Sequence, residues 1–85
     1  MIVKLSEEAI KNIRDVNKND AMKIKERIQK FVDYPESCNF RKLQGYKNRY
    51  RIRQGNYRII CEFVEESEKC LYIISVKHRS NAYKD

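Results

Sequence analysis

Glycine and proline are scarce: two Gly, at 45 and 55, and a single Pro, at 35. So few breakers leave no flexible linker and no low-complexity segment. At 85 residues the chain is read as one small domain, 1–85. It lacks an apolar run approaching the roughly 20 residues of a membrane helix. Its start, MIVKLSEEAI, lacks an apolar core followed by small residues, so export by a signal peptide is not expected. Its three cysteines, at 38, 61 and 70, are an odd number with no C-x-x-C spacing. That argues against a disulfide framework and for a reducing cytoplasm. With one histidine and no paired cysteines, neither a metal site nor a cofactor is expected.

Positive charge is what the chain has in excess, with 19 Lys+Arg against 12 Asp+Glu, a net +7 at pH 7. Such a density implies a polyanionic partner: nucleic acid, an acidic protein or an anionic membrane. The excess is local. Residues 37–61 hold seven basic groups (Arg41, Lys42, Lys47, Arg49, Arg51, Arg53, Arg58) and no acid. Five of the seven are arginine, whose planar fork grips phosphates and carboxylates, whereas a merely solvated face leans on Lys and Glu. Lys23, Lys25, Arg27 and Lys30 are scattered around the second helix rather than striped, which argues against a membrane-surface helix.

Ile2 to Leu5 alternates as a short strand. Ser6 is a good N-cap, with Glu7 and Glu8 complementing the helix dipole and Leu5 and Ile10 spaced as a hydrophobic staple. Ile10, Ile13 and Val16 follow at helical spacing. Asp20 is the expected cap of a second helix striped by Ala21, Ile24, Ile28, Phe31 and Val32 and stopped by Pro35. The period then changes from 3.6 to 2. Residues 46–53, 57–64 and 70–76 read as three strands, the last apolar on both faces. The fold class is α+β, β-α-α-β-β-β, a helical hairpin on a small, mostly antiparallel twisted sheet.

A two-residue loop at Gly55-Asn56 sets Arg53 opposite Arg58. Arg49, Arg51, Arg53 and Arg58 then share one face. Tyr50, Ile52, Tyr57, Ile59, Cys61 and Phe63 share the other, which the helices can cover. A one-residue slip would bury Arg58 among apolar side chains, at high cost. Like charges set opposite each other destabilise a sheet, a cost typical of functional sites. Glu62, Glu65, Glu66 and Glu68 read as a solvated turn, and Cys61 as core.

Leu43-Gln44-Gly45, then Arg51-Ile52-Arg53-Gln54-Gly55-Asn56-Tyr57-Arg58-Ile59-Ile60, then Val76-Lys77-His78-Arg79 and Tyr83, resembles the RelE/ParE superfamily of toxins from toxin–antitoxin systems. The resemblance implies that fold and one of two activities. RelE-like members cut mRNA in the ribosomal A site. ParE-like members inhibit DNA gyrase. An inactive member that only binds its antitoxin is a third possibility.

Metal-independent RNA cleavage uses the 2′-OH as nucleophile on the adjacent phosphate. It needs a proton acceptor, a proton donor to the leaving oxygen, and cations for the developing charge. By position, the resemblance assigns these roles to Arg51, Arg53, Arg58, Arg79 (or Lys77) and Tyr83, with Tyr83 stacking on a base. Arg41, Lys42, Lys47, Arg49 and Lys77 are expected RNA contacts. The best-known nucleases carry Lys where this chain has Arg51 and Arg53, and an arginine cannot give up its proton. The proton acceptor is then His78, with Lys77 as the alternative. The implied partners are an acidic antitoxin and mRNA in the ribosomal A site, with contacts to ribosomal RNA. Gyrase is the partner under the other reading.

Overall fold

Ser6 ends the first strand and starts the first helix. The computed structural model describes residues 1–65 and 67–82. Strand β1 (Ile2–Leu5) leads into α1 (Glu7–Arg14) and α2 (Lys18–Asp33). A 3₁₀ turn (Pro35–Ser37) follows, then β2 (Phe40–Lys42), β3 (Arg49–Gln54), β4 (Tyr57–Glu65), β5 (Lys69–His78) and the short α3 (Arg79–Ala82). The sheet order is β1-β5-β4-β3-β2; β1 runs parallel to β5 and every other pair is antiparallel. The expected α+β architecture holds, with two additions: β2 and α3.

The caps explain the helix starts. The Ser6 side chain accepts from the Ala9 N–H at 2.9 Å. The cap of α2 is Asn17 rather than the expected Asp20: Asn17 Oδ1 accepts from the Asp20 N–H at 2.9 Å, and Asn17 Nδ2 donates to the Asp20 carboxylate at 3.0 Å. Asp20 thus sits inside the first turn, where its charge faces the positive end of the helix dipole. Tyr34, expected to be extended, sits at φ −140° and ψ 71°, outside the α region that the following Pro35 disfavours but short of a fully extended backbone.

One face of the sheet is covered. Ala9, Ile24, Ile28 and Phe31 from the helices meet Ile52, Ile59, Cys61, Leu71, Ile73 and Val76 from the strands. Phe31 anchors an aromatic cluster, with ring centroids 5.2 Å from Phe40, 5.8 Å from Phe63 and 6.5 Å from Tyr50. Because β1 is short, the edge of β5 beyond Ile73 needs other partners. Ser6 Oγ donates to the Ile74 carbonyl at 2.6 Å, and Asn12 Oδ1 accepts from the Val76 N–H at 2.9 Å. These two bonds pin α1 along that edge.

Two local features aim the functional side chains. Gly55, at φ 58°, is the first residue of a two-residue hairpin loop closed by Gln54 and Tyr57, and Asn56 has no positive φ, as in a type II′ turn. Between β4 and β5 the register shifts. Ile60 pairs with Ser75, but Cys61 pairs with Ile73, so Ile74 is the extra residue of a bulge. Leu71 and Ile73 point into the core before the bulge, and Val76 does so after it. The extra residue therefore inverts the alternation and turns Ser75 and Lys77 to the open face.

Candidate nucleic-acid interface

The hairpin register builds a row of like charges. Arg53 lies opposite Arg58, and Arg58 opposite Lys77; one step along, Arg41 lies opposite Arg51. The burial pattern assigns them to the face the helices leave open, since Ile52 and Ile59, one residue away, are fully buried. Burial first, and then the positive charges of Arg58, Arg53 and Arg41, lower the pKa of Arg51 below the ordinary arginine value. Arg51 is thus the centre of the cluster. The row ends at an opposite charge, where Arg49 Nε donates to Glu62 Oε1 at 3.2 Å.

This face is concave. A cleft of about 400 Å³ runs across β3, β4 and β5, with Arg49, Arg51, Arg58 and Lys77 along it. Ile60 and Ser75 also line it, as do Glu8 of α1 and Tyr46 from the β2–β3 loop. Two smaller hollows adjoin it. One of about 280 Å³ is lined by Arg41, Arg51 and Arg53; one of about 230 Å³, at the hairpin tip, by Arg53, Arg58 and Arg79. Shared arginines make the three one continuous cationic surface. Such a surface can hold several phosphates of a single strand and stabilise charge that develops on one of them.

The remaining expected site residues are spread out. Arg79 begins α3, and its N–H donates to the Asn56 carbonyl at 2.7 Å, which docks the strand end against the hairpin. Lys42 pairs with Tyr50, and register puts it on the face opposite to Arg41. Lys47 is exposed in the β2–β3 loop. His78 pairs with Tyr57, and their rings meet edge to face at 5.3 Å. Its Nδ1 is 2.9 Å from Ser80 Oγ. That places His78 on the helix side of the sheet and Lys77 in the cleft. Tyr83 lies outside the described residues.

Tyr46, Glu8 and Ser75 line the cleft without standing in the expected set. Only Tyr46 carries a sequence signal, an aromatic beside the Gly45 turn in a basic loop. Two other groups are accounted for by packing. Burial pushes the Cys61 thiol up to about 12, which removes it as a nucleophile. Burial, and then the Asp20 carboxylate with its hydrogen bond, raises the Tyr57 phenol above its ordinary value. Among the described residues no group of three or more His, Cys, Asp or Glu could hold a metal ion. No described helix is long and apolar enough to cross a membrane.

A helical hairpin on one face of a five-stranded mixed sheet, with arginines on the other, defines a class of small α+β folds with a cationic open face. The RelB–RelE antitoxin–toxin complex from Methanococcus jannaschii contains a chain similar to this one, at 27% identity over 95% of each chain with a TM-score of 0.76. The archaeal RelE–RelB complex from Pyrococcus horikoshii gives 26% identity, 94% and 96% coverage, and a TM-score of 0.75. The isolated RelE toxin of E. coli, at 24% identity, 98% and 90% coverage and a TM-score of 0.74, shows the same fold. No curated protein matches the chain. Residues 3–83 match the family described as the ParE toxin of type II toxin–antitoxin systems, parDE, and the chain belongs to that family.

Proposed function

We propose that the chain is a ribosome-dependent endoribonuclease toxin that cleaves mRNA in the A site, acts in the cytoplasm and is neutralised by its own antitoxin. The observation that carries this reading is the cross-strand row Arg53–Arg58–Lys77 on the open face, with Arg51, Arg58 and Lys77 lining one cleft and Arg53 the hollows beside it. Folding alone gives no reason to set like charges opposite each other. A phosphate undergoing attack by the neighbouring 2′-OH does, because negative charge grows on its oxygens in the transition state.

The roles follow from position. Arg51 and Arg58 hold the scissile phosphate, and Arg53 and Arg79 extend the grip towards the hairpin tip. Lys77 is the basic group in the cleft that can exchange a proton, which the arginines cannot. It takes the part of proton acceptor that His78, on the other face, is badly placed to fill. Arg41, Lys47 and Arg49 contact phosphates of the mRNA and the surrounding ribosomal RNA, which positions the strand without reading its sequence; Lys42, on the helix side of the sheet, stands outside that grip. Tyr83 keeps the stacking role implied by the superfamily resemblance.

The partner that silences the toxin is an acidic antitoxin whose segment folds on binding. Its carboxylates pair with Arg49, Arg51, Arg53 and Arg58, and an apolar stretch covers exposed helix residues such as Ile10 and Met22. A ParE-like gyrase inhibitor is the second reading. It is favoured by Arg rather than Lys at 51 and 53, which leaves β3 without a proton acceptor. Inducing the chain in cells while following nascent-protein labelling and plasmid supercoiling separates the two. The nuclease reading expects labelling to fall within minutes with supercoiling unchanged. Altered supercoiling ahead of any fall in labelling would give the protein to gyrase, and no effect on either would make it an inactive member.

A further inference from the structure

Tyr46 is 49% exposed beside a run of cations and stands outside the buried core. The core aromatics Phe31, Phe40, Tyr50 and Phe63 contact one another. The Arg49 guanidinium carbon lies 4.3 Å from the centroid of the Tyr46 ring. Arg49 is itself held, since its Nε donates to Glu62 Oε1 at 3.2 Å. A Glu62–Arg49–Tyr46 stack thus fixes an exposed ring from one side. Gly45, at φ 86°, makes the turn that brings the ring to the cleft containing Arg51, Arg58 and Lys77.

We propose that Tyr46, backed by Arg49, is a stacking platform for one unpaired base of the bound RNA. The inference rests on the mRNA reading and adds a base contact to it. A ring braced by a guanidinium loses little freedom when a base settles on its open side. Cations next to it hold the flanking phosphates, so stacking and charge act on the same short segment. Every base has a π-face, so the contact fixes where the strand sits more than which sequence is taken.

The test is fluorescence anisotropy with a short single-stranded RNA and a set of copies, each lacking one base. Tyr46→Leu should weaken binding of the intact RNA roughly ten- to a hundredfold, and Tyr46→Phe should not. The loss should stay the same between about 50 and about 200 mM salt, whereas the loss in Arg51→Ala should shrink as salt rises. One abasic position should weaken the native protein and leave Tyr46→Leu unaffected. Equal affinity of Tyr46→Leu and native protein for the intact RNA would overturn the platform and leave the mRNA reading standing. Tyr46→Leu binding RNA normally but losing the antitoxin would also overturn it and place the ring in the protein interface. A native protein that binds no RNA at low salt would overturn both readings.

Discussion

The two faces of β3 and β4 follow opposite rules one residue apart. Ile52, Ile59 and Cys61 are fully buried under the helices and pack with Phe31, Leu71 and Ile73. Arg51, Arg53 and Arg58 alternate with them and repel one another across the strands. The covered face supplies the favourable burial, at roughly 25 cal/mol per Å² of apolar surface. The open face spends part of it to hold cations in fixed places. One sheet can do both because a strand sends successive side chains to opposite sides. The difference teaches that substitutions on the open face should change activity and leave the fold, and those on the covered face should do the reverse.

The largest expected effect contrasts two neighbours in sequence. Lys77→Met should lower single-turnover mRNA cleavage by about 10²–10⁴-fold, the usual span for a lost acid–base group. His78→Gln, on the other face, should cost less than tenfold. The opposite order would return the proton to His78. Arg58→Ala should cost about 10²–10³-fold, the scale of one lost charge-stabilising donor. Its circular dichroism and melting temperature should stay near native. Ile59→Ala sharpens the contrast from the other side. It should destabilise the domain by about 2–5 kcal/mol in urea unfolding, with catalysis per folded molecule retained.

Smaller effects concern charge. The Cys61 thiol is pushed up to about 12 from an ordinary value of 9.0. A folded-state value above the unfolded one means the neutral thiol contributes stability fully below about pH 9, and loses it as pH rises towards 12. The raised Tyr57 phenol acts in the same direction at alkaline pH. Melting temperature should therefore fall above about pH 9, and Cys61→Ala should flatten that fall; an unchanged slope would contradict it. The smallest effect is a gain. Arg53→Gln relieves the pair with Arg58 and should stabilise by ~0.2–1 kcal/mol, less so in high salt.

Much of this contrast is legible in the sequence, because alternation and turn chemistry agree over residues 49–63. A slip by one would have buried Arg58, so Gly55-Asn56 and the arginines fix the same register independently. The bulge is not legible. Residues 70–76 are apolar on both faces, so nothing marks Ile74 as the extra residue. Simple alternation from Leu71 and Ile73 would send His78, not Lys77, to the arginine face. Strand β2 is hidden for another reason: three residues, Phe40 to Lys42, are too short to show a period, and pairing with β3 decides their conformation. The Asn17 cap is masked by three neighbouring residues that all cap well, Asn17, Asn19 and Asp20. Tyr46 is marked in the sequence as an aromatic beside Gly45 in a basic loop, but its bracing shows only when Arg49 is seen to lie on its ring.

The central claim is that the open face is a phosphate-gripping site for RNA cleavage, and cleavage of mRNA on programmed ribosomes tests it most directly. Purified native protein should cut the A-site codon and leave a 2′,3′-cyclic phosphate, the product of 2′-OH attack, while folded Arg58→Ala leaves the message intact. Uncut mRNA with native protein, or equal cutting by Arg58→Ala, would contradict it.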